Sequence, residues 1–123
     1  MSLRNLHIAL GWTLMVANGL VGAWALAAHR WPALRRQALW AATAAAQVLI
    51  LLQVVVGVVN MRVSDIEVDG THLFYGFVSA FAVGIIYSYR QQLEQWRYLL
   101  YGFGGLFLMG MAIRSLTISA VPG

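Results

Sequence analysis

The chain has 123 residues, of which 61% are hydrophobic and only 10% charged, and its mean hydropathy is +0.74; a water-soluble domain carries about 25% charged residues. With no cysteine, it has no disulfide framework and no thiolate metal site. The net charge of +4 comes from eight Arg and no Lys scattered at segment edges, without the basic, aromatic-interleaved stripe of a nucleic-acid binder.

Four apolar runs follow one another, and the charges other than Arg114 fall outside them. The first covers about residues 6–28, and about 20 residues at ~1.5 Å rise cross a ~30 Å hydrocarbon core. It is long, lacks a marked basic leader and is followed by more apolar runs, so it reads as a span and not as a signal peptide. It opens on His7, and helical spacing then gives Gly11, Leu14, Asn18 and Gly22, a small or mildly polar face expected to look into a bundle. The connection after it holds His29, Arg30, Pro32, Arg35 and Arg36, a short stiff hairpin in which His29 reads as an interfacial residue.

The second run, about residues 39–59, is apolar all round from Val48 to Val59 except at Gln53, and Ala41–Ala46 offers only Thr43. A soluble bundle needs a polar stripe on every helix, and none is present. Gln53, Gly57 and Asn60 share one face, and Gln47 and Gln53 read as interhelical hydrogen bonders. The next connection carries Arg62, Asp65, Glu67 and Asp69. Asp69 precedes His72 by three residues, as a helix cap does or as a carboxylate bonded to an imidazole does.

The third run, about residues 72–89, opens on His72 and continues at helical spacing through Gly76, Ser79, Val83 and Tyr87, again expected inside. Arg90 to Arg97 form the third connection. The fourth run, about residues 98–118, sets Phe103, Phe107, Gly110 and Arg114 on one face, with Arg114 about one turn inside the span end. Trp12, Trp24, Trp31, Trp40, Trp96, Tyr98 and Tyr101 lie mostly near span ends, where interfacial anchors belong.

The predicted fold class is all-α: an integral-membrane four-helix bundle of up-down-up-down topology, one domain over residues 1–123. Positive-inside counting places the loops bearing Arg30, Arg35, Arg36, Arg90 and Arg97 in the cytoplasm and both termini outside. The Lys-free, Ala- and Arg-rich usage suits a GC-rich bacterial gene, hence a bacterial inner membrane.

The opening of the first span returns in the third. His7-x3-Gly11 recurs as His72-x3-Gly76, and Ala17 and Gly19 recur as Ala82 and Gly84 at the same offset of 65, an internal two-fold repeat of helical hairpins. Odd-numbered spans run the same way, so both imidazoles fall near the outer face, diagonally across a square bundle. A histidine inside a span is costly, and a pair at one depth implies a shared ligand. The candidate ligand is a b-type haem held non-covalently, with His7 and His72 as its metal ligands; covalent c-type attachment would need a Cys-x-x-Cys-His run. Gly11 and Gly76 open a slot one turn below the histidines, and Arg114 is the candidate partner of a propionate, with Arg62 and Arg4 at the same surface. Two histidines without a third ligand make no zinc site. Other readings stay open: interfacial histidines, glycines used for small-x3-small packing, and an Arg114 that snorkels or pairs with Asp65, Glu67 or Asp69.

On these residues the chain resembles one four-helix half of the haem A synthase family, an eight-span enzyme made of two similar bundles. The His7 segment resembles that family's first ligand helix, Thr71-His72-Leu-Phe-Tyr-Gly76 its second, and Gln53-Val-Val-Val-Gly57 the helix between. The resemblance implies the bundle fold and His7 and His72 as axial ligands. It does not carry over the oxidation of haem, because the family's catalytic Glu before a histidine is absent: Arg4 precedes His7 and Asp69 precedes His72.

The function expected is that of a small membrane b-type cytochrome for electron transfer or haem holding, with membrane lipid around it and a quinol or larger respiratory complex as partner. The alternative is a cofactor-free accessory subunit of such a complex, packing through Tyr101–Gly110. A third is a haem-modifying homodimer.

Overall fold

The computed structural model describes residues 2–64 and 70–120. They form four helices: α1 (Leu3–Arg30), α2 (Gln37–Ser64), α3 (Gly70–Ser88) and α4 (Arg97–Ala120). All four are long and apolar enough to cross a membrane. They contain the apolar runs and extend past most of their ends, because the flanking polar residues continue the helical hydrogen bonding into the interface. Ser2 starts α1 as an N-cap, its hydroxyl accepting from the Asn5 amide. Pro32 follows its end, since the residue before proline avoids helical geometry. The Arg35 guanidinium then donates to the carbonyls of Ala28 and His29, closing the C-terminus of α1.

The helices stand in ring order. α1 packs most closely on α4 and next on α2, α3 leans on α4, and α2 and α3 barely meet. The ring of His7 lies near that of His72 at one end, and His29 lies near Trp96 at the other, so odd-numbered helices run the same way. α1 and α3 are therefore diagonal partners.

Close backbone approach holds α1 to α4. A Cβ placed on Gly105 would stand 2.8 Å from the Asn18 carbonyl oxygen, and one on Gly22 would stand 2.9 Å from that of Gly102. Lipid tails are as apolar as side chains, so helices in a membrane associate through such small-residue contacts and not through apolar stripes. This explains why α4 faces opposite to the sequence expectation. Phe103, Phe107, Gly110 and Arg114 do share a face, but it is the outward one, and Tyr98, Gly102, Gly105 and Leu108 look inward. Tyr87 also points outward. The expected face of α1 is borne out, with Gly11, Leu14, Asn18 and Gly22 all buried. Asn18 donates to the carbonyls of Leu14 and, across the interface, Ala46 of α2.

The tightly packed part runs from mid-span to the connection end. One cluster joins Leu14, Ile50, Val83, Ile86 and Leu108; the other joins Ala25, Ala28, Leu39 and Tyr98. Trp40 packs on Tyr98 and Tyr101, with Arg35 and Arg97 over the Tyr98 ring, an arginine–aromatic girdle suited to headgroup depth. On the outside, Trp12, Leu20, Val55, Phe81 and Phe103 are all more than half exposed, a surface that suits lipid and not water.

Candidate functional site

The two histidines come together. His7 sits in the second turn of α1 and His72 in the first turn of α3, and their ring centres are 6.1 Å apart with planes at 71°. They arrive there by different means.

His7 is set by α2. Its ring lies on Gly57, where an added Cβ would come within 2.8 Å of Cε1. One turn earlier, the Gln53 side-chain amide donates to the His7 carbonyl oxygen at 2.7 Å. Gly11 serves this contact: a Cβ there would stand 3.2 Å from Gln53 Nε2 and 3.6 Å from Leu116. The space expected to be a slot beside Gly11 is filled by a glutamine. The cradle that sequence reasoning missed is Gln53 with Gly57, although both lie on the face of α2 that it picked out. Asn60, the third member of that face, is buried.

His72 is set by α4. Its Nδ1 is 2.9 Å from the Ser115 hydroxyl and 3.2 Å from the Ser115 carbonyl oxygen. Ser115 was not among the expected site residues. Its signal was phase: it lies one heptad after buried Leu108, on the inward face. Gly76, one turn below His72, stands beside open space, since a Cβ there would meet nothing within 4 Å.

Arg4, Arg62 and Arg114 are all exposed at the histidine end, Arg114 directly before Ser115. Arg114 is therefore not the buried guanidinium expected from its depth in the span; the outward turn of α4 carries it to the surface. Asp65, Glu67 and Asp69, and with them any cap or carboxylate role of Asp69, lie outside the described residues.

Among the described residues no group of three His, Asp or Glu is placed to hold a metal. The site offers two imidazoles, which suits a metal that brings its other ligands with it. A metal bonded to one nitrogen of each ring at about 2 Å leaves the ring centres roughly 6 Å apart, and the observed separation is 6.1 Å. Comparison with protein-family models, curated proteins and solved structures finds no match to this chain.

Proposed function

We propose that this chain is a small integral-membrane b-type cytochrome that holds one haem between His7 and His72. One observation carries the reading: two imidazoles from diagonal helices stand 6.1 Å apart with no third protein ligand beside them among the described residues. Further support comes from the gap at Gly76, from the poor contact between α2 and α3, which leaves room for a flat macrocycle, and from Arg62 and Arg114, exposed at the same end where propionates would emerge. A haem held by both histidines would supply one-electron chemistry. The chain's own part is to fix the ligands: Gln53 and Gly57 hold His7, Ser115 holds His72, and the apolar helices keep water out. A quinol or a larger respiratory complex is the partner class that suits such a carrier. The resemblance to one half of the haem A synthase family agrees with the ligand pair, and the missing Glu speaks against haem oxidation.

The protein purified in mild detergent should show a sharp reduced α-band with about one haem per chain. A colourless protein that stays colourless when haem is added overturns the assignment. A specific feature favours the second reading in that case. An apolar groove of about 700 Å³ runs along α3 and α4, lined by Phe81, Ile85, Trp96, Leu100 and Phe103 among others, and would seat a neighbouring subunit's helix.

A further inference from the structure

On the strength of the haem reading, we propose that the two ligands are unequal: His72 is the anchoring ligand and His7 the displaceable one. The site would then open on the His7 side to a small neutral donor of the size of a diatomic gas.

A metal-bound imidazole usually donates its second N–H to an acceptor, which fixes its tautomer and ring orientation and raises its basicity. His72 has that arrangement. Its Nδ1 faces a carbonyl oxygen of Ser115 as well as the hydroxyl. A carbonyl only accepts, so both contacts are met together when the proton is on Nδ1 and the hydroxyl also accepts. Nε2 is then left bare, with its lone pair free for a metal.

His7 is held less well. Its Nδ1 is buried and finds no hydrogen-bond partner among the described residues. Gln53 donates to the His7 carbonyl, its own backbone carbonyl lies beside the imidazole without a well-formed hydrogen bond to Nδ1, and the free end of its side-chain amide, Oε1, is buried without a partner. Gly57 gives the ring a surface to lie on and no acceptor. Ligation through His7 Nε2 would leave its N–H with no better acceptor than the poorly placed Gln53 carbonyl, whereas ligation through His72 leaves an N–H met by Ser115. The weaker bond therefore belongs to His7.

The test compares His7→Gly with His72→Gly, each purified as the full chain in detergent with haem supplied. His7→Gly should keep close to one haem, now five-coordinate and high-spin, bind carbon monoxide when reduced, and return to a low-spin spectrum when free imidazole is added. His72→Gly should lose haem. Equal loss, equal retention or the reverse order overturns the inequality while leaving the histidine pair as ligands. A wild-type protein without haem overturns the haem reading itself and this inference with it. Ser115 supplies a probe that leaves both ligands in place. As a positioning residue, its Ser115→Ala variant should bind haem about tenfold more weakly with a shifted reduction potential, and Ser115→Thr should restore both. An Ala variant with unchanged affinity and potential removes Ser115 from that role.

Discussion

At the residue scale, three glycines around the histidines do three different things. Gly57 makes room for His7, Gly11 for Gln53, and Gly76 borders empty space. Gly57→Ala should press on the imidazole; overpacking of this kind costs about 1–3 kcal/mol, and haem content should fall with thermal stability. Gly76→Leu should behave otherwise. Its Cβ meets nothing within 4 Å, so the melting temperature without haem should stay within a few degrees, while haem binding drops if the macrocycle lies there. A Gly76→Leu protein with full haem would move the macrocycle elsewhere. The histidines were legible in the sequence because ionisable residues are rare in apolar runs and these two recur with one spacing. Ser115 was not, because a serine near a span end is ordinary and only the rotational phase of α4 aims it at His72. The repeat itself conceals a difference: Gly19 packs on Met109 and its counterpart Gly84 meets nothing.

At the element scale, the existence of the helices was plain from run length, whereas the inward face of α4 was not. An apolar stripe marks the buried side only where water covers the other side. In lipid the mark is small residues that admit another backbone, and Gly102 and Gly105 supply it. Gly105→Leu should therefore force α1 and α4 apart. The atoms it meets are the Asn18 carbonyl and the Gly22 backbone, which cannot swing away. The expected result is a loss of 1–3 kcal/mol or more in detergent unfolding, with helical content retained. Asn18→Leu removes the hydrogen bond to Ala46, and interhelical bonds in membranes average about 0.6 kcal/mol and reach about 1.7. A larger cost would show that Asn18 also orders the neighbouring polar groups on α2, Thr43 and Gln47, both buried.

At the scale of the whole molecule, the ring order of the four helices follows from short connections, and the diagonal meeting of α1 and α3 follows from the ring. Orientation rests on arginine placement alone. Reporter enzymes fused to the C-terminus should be active only when the reporter works outside the cytoplasm. Moving the Arg35-Arg36 pair to the N-terminus should raise the inverted fraction. The degree to which α2 and α3 separate was not legible, because their inward polar side chains bond to other helices, Gln53 to α1 and His72 to α4.

Both packed clusters lie from mid-span toward the arginine–aromatic girdle, and neither includes a residue of the histidine end. The molecule is built like a clothes-peg, sprung at the girdle by packed side chains, with its jaws joined by the hydrogen bonds of Gln53 to His7 and of His72 to Ser115. On the haem reading, loading the jaws would unpack none of the clustered side chains, so folding and cofactor acquisition would be separable steps, and the haem-free chain should persist in the membrane as a folded acceptor. Hydrogen exchange on that form should divide accordingly: slow for amides around Ala25, Leu39 and Leu108, fast from Leu6 to Gly11 and from His72 to Gly76, with only the second group slowed when haem is added.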